Sequence, residues 1–448
     1  MIDLLRKLVV GIYHHPLLSL LIGALLVCIS LGLMAIGGYA WAEYHYRAAR
    51  RALDRRDFVA AREHLALCLE AWPDSAETHF LAARAARRAL DYRAADKQLR
   101  ECQRLGGARD RIELERQLTR AQRGDLAQVN GRLWSEVQSG HADAPLILEA
   151  LSRGYVQSFR LEEALQSLQL WLESRPDDVQ ALLWRGEVWE RLLHPEDALA
   201  DYRRALELAP QRDDERLHVA EILITVRQPE EAARHLALLG ERRPEDTKVL
   251  VNLARCRRLQ GQPDEARHIL DQVLARTPQD AAALAERGRL ELENNRPTDA
   301  EPWLREAVAL LPYEKEVVYA LYQCLQQTGR HAEAEKYHQQ LDTIQAEMDR
   351  LDVVLRKINL TPQDPSLRHE AGMIFLKNGQ PKEGLRWLNS GLQVDPLYGP
   401  THEALATYFA SIGERGQASW HRELAHQRPT QKERNGRKEP IAGGRGAG

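Results

Sequence analysis

The side chains that most often do chemistry are present in this chain but stand in the wrong company. His14 and His15 are adjacent, and two neighbouring imidazoles without further ligands make a poor metal site. His369 opens HEAGM, which begins like a zinc-hydrolase helix and lacks the second histidine four residues on. The five cysteines are widely spaced and form no Cys-x-x-Cys pair, so no disulfide framework is read. Cys68 and Cys102 lie 34 residues apart, and Cys256 and Cys324 twice that, a spacing of equivalent core positions. GGRGAG, near the end, follows no strand and cradles no phosphate. No catalytic residue, cofactor or metal site is read, and the chain is expected not to be an enzyme.

What remains is recognition by charge. Arg153, Glu187, Glu221, Arg255, Arg289 and Gln323 follow one another at 34-residue steps. The sign changes along the series: positive, acidic, acidic, positive, positive. Glu190, Arg191, Arg258, Glu286 and Gln326 lie close by in sequence. Two readings stay open: an ordinary solvated face, or a groove that selects a peptide with complementary charge blocks. Net charge is −3 with 28% charged residues, which gives nucleic acid no basis as the main partner.

The elements that would carry such a series are written in prolines. PEDALADYRRALELAP, from Pro195, returns as PEEAARHLALLGERRP from Pro229, PDEARHILDQVLARTP from Pro263, PTDAEPWLREAVALLP from Pro297 and PKEGLRWLNSGLQVDP from Pro381. Pro176, Pro210, Pro244, Pro278 and Pro312 keep the same 34-residue interval, as do Ala164, Ala198, Ala232, Ala266, Ala300 and Ala334. Proline opening a helix loses no bond, since its missing N–H would be unpaired there. Acidic residues just after it suit the helix dipole, and the second proline ends the helix. A fixed period of this length predicts stacked supersecondary units.

The pattern resembles the tetratricopeptide repeat family. The likeness rests on the 34-residue unit and on a small residue in the first helix (Gly186, Ala220, Ala254, Gly288, Gly372, Ala406). Alanine early in the second helix and a terminal proline complete it. It spans 43–426, with a divergent unit near 108–142. Arg185 and Arg287 stand where the family favours leucine. The resemblance implies an all-α fold, a right-handed superhelical solenoid of about 10–11 antiparallel helix pairs, with a concave face that holds protein or peptide partners. Lys248 and Asn252 are the sole echo of the family's carboxylate clamps and do not make one.

One helix is sixteen residues too long, because Pro362 follows Pro312 by fifty. The stretch 331–359 places Tyr337, Leu341, Ile344, Met348, Leu351, Leu355 and Ile358 at alternating steps of four and three, a heptad seam. It serves either packing on the following repeats or association, homo-oligomer included. Residues 1–15 read as an N-terminal tail and 427–448 as a disordered basic tail.

From Pro16 to Ala40 no residue is charged, and Tyr13, Tyr39, Trp41, Tyr44 and Tyr46 flank the run. The length exceeds a signal-peptide core and suits a bilayer-spanning helix over 16–42. The expectation is one transmembrane helix before the array, hence a single-pass membrane protein in contact with the lipid bilayer. Lys and Arg near the ends lean towards a cytoplasmic array. Three functions fit this reading. They are a membrane-anchored scaffold that assembles partners, a periplasm-facing envelope-biogenesis factor, and a regulatory subunit of a separately encoded enzyme.

Overall fold

The computed structural model describes residues 16–361 and 363–426, less the side chains of most residues between 16 and 36. The tails 1–15, with His14 and His15, and 427–448 lie outside the described residues. Among those described there are twenty-two helices and no strand. In chain order α1 to α6 are Pro16–Asp54, Phe58–Ala71, Ala76–Arg88, Tyr92–Arg104, Arg109–Gln122 and Asn130–Gln138. Helices α7 to α12 are Ala144–Gln157, Leu161–Ser174, Val179–Arg191, Pro195–Leu208, Asp213–Thr225 and Pro229–Arg242. Then α13 to α18 are Thr247–Leu259, Pro263–Arg276, Ala281–Glu293, Pro297–Leu310, Lys315–Gln327 and His331–Leu360. Last come α19 to α22, Pro365–Lys377, Pro381–Val394, Gly399–Ser411 and Arg415–His426.

Each hairpin turns by the same backbone device. The first helix ends in a residue held at positive φ: Leu90, Phe159, Leu193, Arg227, Gly261, Asn295, Gly329, Gly379 and Gly413 among them. The next N–H then reaches back to a carbonyl five residues earlier, as from Arg160 to Tyr155, His194 to Trp189, Gln228 to Leu223 and Gln262 to Arg257. This bond caps the helix and fixes where the second one starts. Five first helices are opened by acidic or serine caps; Ser75, Asp178, Asp246, Asp280 and Asp364 each accept a bond from a first-turn N–H.

The small residue of the first helix marks the crossing. A methyl group built on Gly288 would lie 2.5 Å from Leu304 Cγ, and one on Gly186 would lie 2.8 Å from the Tyr202 ring. The early alanines of the second helices, Ala164, Ala198, Ala232, Ala266, Ala300 and Ala334, are completely buried.

By packing, the chain forms two compact units. One runs to Arg123 and adds Ala127–Ser135; the other comprises Gly124–Leu126 and everything from Glu136. The boundary falls inside 108–142, where the repeat pattern is weakest. In the second unit the long helix α18 is divided between two cores. Tyr337, Leu341 and Ile344 join the cluster built from Val251 to Leu325. Met348, Leu351, Leu355 and Ile358 join Phe159, Ala371 and Trp387. All seven seam residues thus face other parts of the same chain.

The membrane expectation is corrected. Among the described residues no helix is long and apolar enough to cross a membrane, so the single-pass localisation does not hold. Physically, α1 does not stop where the apolar run stops. It continues through Glu43, Arg47, Arg50 and Arg51 to Asp54, and this polar half is the first member of the first hairpin. Ala42, Ala49, Ala52 and Leu53 are buried there, the last three packing with Ala61 and Leu65.

Candidate functional site

The six residues at 34-residue steps all sit on first helices (α7, α9, α11, α13, α15, α17), and all are half-buried. Each first helix repeats the direction of the one before, so a step of one period returns a side chain to the same face. The charges on that face are largely engaged with one another. Arg153 lies over the Trp184 ring, 5.6 Å from its centroid. Glu187 accepts from Arg191 and from Arg386. Glu221 accepts from Lys248, at 2.7 Å, and from Asn252, at 3.2 Å, so the pair that echoed a carboxylate clamp is spent on an internal carboxylate. Gln323 is half-buried on α17.

His218 bridges two repeats. Its Nε2 donates to Glu190 at 2.8 Å, its Nδ1 lies 3.9 Å from Glu221, and its ring meets Tyr202 edge-on at 5.6 Å. Bonds to Glu190 and then Glu221 push the imidazole up to about 9, so it is a cation at neutral pH.

The densest charge lies on α13 and α15. Glu286 is 1% exposed and accepts from Arg255 at 3.0 Å, from Arg258 at 3.1 Å and from Arg289 at 2.9 Å. Burial alone would raise this carboxyl; Arg255, Arg258 and Arg289 outweigh it and hold it below its ordinary value. Part of the arrangement recurs in the first unit. There Glu115, also 1% exposed, accepts from Arg84 at 3.2 Å and Arg87 at 2.6 Å. The spacing is the same, 31 and 28 residues, and the two sets are offset by 171 residues (255 − 84, 258 − 87, 286 − 115). Arg-x-x-Arg followed by Glu is therefore a staple between successive hairpins.

The third arginine is not part of the staple. At the position of Arg289 the first unit has Leu118, which is buried. Arg289 lines a pocket of about 480 Å³ on the first-helix face, together with Arg227, Arg255, Arg258, Glu314 and Glu316. Ile224, Leu259, Leu311 and Val317 supply its apolar lining. Arg227 stands on the hairpin turn with φ 63, exposed, and makes no ion pair among the described residues. Burial and the neighbouring Glu316 raise the Glu314 carboxyl, against the pull of Arg289 and Arg255.

The residues considered for chemistry have structural surroundings. Cys68, Cys102, Cys256 and Cys324 are buried free thiols, and Cys68, Cys256 and Cys324 are pushed up to about 11, in each case chiefly by burial. His369 bonds Thr401 Oγ1 at 3.2 Å and meets Tyr398 edge-on. No group of three or more His, Cys, Asp or Glu able to hold a metal occurs among the described residues. Sequence reasoning passed over Phe159, Arg368, Arg386 and Trp387, which join parts of the chain two hundred residues apart. The one signal available was a bulky aromatic at a turn position that five other repeats give to glycine.

The tetratricopeptide repeat family model matches residues 150–213 and 257–315. No curated protein matches the chain. Among solved structures, the pilus biogenesis factor PilW is 22% identical, covering 44% of this chain and 92% of its own, with a TM-score of 0.37. YrrB, described as having an unusual peptide-binding site, is 19% identical, covering 42% of this chain and 96% of its own, with a TM-score of 0.36. A tetratricopeptide repeat protein from Parabacteroides merdae is 18% identical, covering 64% of this chain and 99% of its own, with a TM-score of 0.33.

Proposed function

We propose that this array of tetratricopeptide repeats is a scaffold whose first-helix face holds a protein or peptide partner. The observation that carries the reading is the pocket around Arg289. A staple needs two arginines on Glu286; the structure supplies a third, with Arg227 exposed on the same pocket wall. Guanidinium groups with donors to spare, beside an apolar lining, suit carboxylates of an extended partner segment. Further along the same face Glu187, Glu190 and Glu221 are paired within the chain, with Arg191 and Arg386, with His218 and with Lys248. The partner is therefore one that presents carboxylates to the Arg227 and Arg289 end of the face, its register set there.

Crosslinked pulldown with the full chain tests this. Arg289→Glu and Arg227→Glu, each leaving Arg255 and Arg258 on Glu286, are expected to lower recovery of partners at least about tenfold. Arg227→Glu touches no internal ion pair and so leaves the fold intact. Partner recovery that is the same for both variants as for the unmodified chain overturns the reading.

A further inference from the structure

In a repeat stack each unit packs on its neighbours, so contacts between residues two hundred positions apart do not arise from stacking. The second unit contains a group of them. Phe159, at positive φ on the turn after α7, lies flat against Trp387 of α20, with ring centroids 3.4 Å apart and planes 18° from parallel. The guanidinium groups of Arg191 and Arg386 stand 5.4 and 5.5 Å from the centre of the Phe159 ring. Arg386 donates to Glu187 at 3.0 Å, and Glu187 also accepts from Arg191. Behind the rings Arg368, 2% exposed, donates to the Ser158 carbonyl at 3.1 Å and to Ser390 Oγ at 2.6 Å.

This joint is made by side chains: a stacked pair whose rings also sit in a small apolar cluster with Leu351, Val354, Ile358 and Ala371, an ion pair and one buried guanidinium. Neighbouring hairpins, by contrast, share long apolar seams such as the cluster from Val251 to Ile344. A joint so small can come apart while the hairpins on either side stay folded. It also covers part of the proposed partner-binding face, since Glu187 belongs to the 34-residue series.

We propose that the joint is a clasp that opens, with Arg386 and Trp387 acting as an internal ligand. The seat formed by Glu187 and Phe159 takes an arginine beside an aromatic residue, and a partner segment carrying that pair displaces the chain's own. The chemistry is specific: the carboxylate takes the guanidinium, the flat ring takes the aromatic, and neither contact alone uses both. Because the internal pair is tethered, it holds the seat at high effective concentration and weakens any competitor by the ratio of closed to open forms. The partner part of this proposal rests on the reading of the first-helix face as a binding surface; the clasp itself does not.

The test uses the full chain. Arg386→Glu and Trp387→Ala are each expected to speed amide hydrogen exchange at residues 157–161 about tenfold or more, leaving 229–310 as before. Arg386 is half-exposed, so its reversal opens the joint without removing core volume. Exchange at 157–161 unchanged in both variants overturns the clasp. The seat is then probed with an amidated peptide copying residues 381–394. It is expected to bind the Arg386→Glu chain at least about tenfold tighter than the unmodified chain, and a copy with glutamate and alanine for its arginine and tryptophan should bind neither. Equal affinity for the two chains, or none for the opened one, overturns the internal ligand. The exchange measurement involves no partner, so its outcome is independent of the Arg289 pulldown.

Discussion

Glu115 is the residue whose loss is easiest to reason through. It is enclosed with Arg87, which is itself completely buried and also donates to Gln122 at 2.6 Å. Burial opposes the ionised carboxyl, Arg87 and Arg84 favour it, and the arginines prevail. Replacing it with glutamine leaves a buried cation without a counter-charge, which costs about 3–5 kcal/mol; denaturant unfolding of the first unit measures it. His218 gives a second outcome at this scale. Its pKa is raised from 6.5 to about 9, so the bridge to Glu190 and Glu221 is fully present below pH 6.5 and is lost as pH rises through about 9. Thermal stability followed from pH 6 to 10 should fall in that window, and His218→Asn should remove that part of the slope. Tyr202, which also bonds Glu190, is raised by burial and by that glutamate and stays neutral throughout. Arg255, Glu286 and Glu221 could be named from the sequence as members of one face. That Arg255 binds Glu286 and Asn252 binds Glu221 could not, because a spacing of 31 belongs to no single helix or strand. They become neighbours only once the offset between stacked hairpins is known.

Among the elements, α16 carries an irregularity its siblings lack. Pro302 is the sixth residue of that helix, where preceding units have Ala200, Arg234 and His268. A proline there cannot bond the carbonyl four residues back and crowds it. The residue is exposed, so little burial of its ring offsets that cost. Pro302→Ala is expected to stabilise the second unit by about 1–3 kcal/mol, read as a rise in melting temperature; a fall would mean the proline is needed there. The opening prolines at 195, 229, 263, 297 and 381 begin helices as their spacing predicts, since a missing N–H is harmless only there. The seam on α18 was legible as a stripe but not as two halves. A heptad says which residues share a face. It does not say that Tyr337 to Ile344 pack with the repeats before α18, while Met348 to Ile358 pack with α19, Trp387 and the distant Phe159.

For the second unit as a whole, the sixteen extra residues of α18 have a geometric effect. At about 100° per residue they add four turns and about 160° more, so the next hairpin leaves on nearly the opposite side of the helix. The period was plain in the sequence, whereas the return of residues 365–394 to Phe159 was not, because it depends on angles summed over many crossings. Removal of residues 195–228, one complete period joining His194 to Pro229, tests what that sum is worth and leaves Arg255 and Arg258 on Glu286. The remaining hairpins should keep their helical circular dichroism, yet exchange at 157–161 should rise as it does in Arg386→Glu; protection kept there would show that the joint does not depend on the intervening units. An array with free ends can lengthen or shorten by duplication, each added copy fitting where the last one did. Once Phe159 has to find Trp387, the number of copies between them becomes a counted quantity, and a lineage carrying this joint has given up that way of evolving.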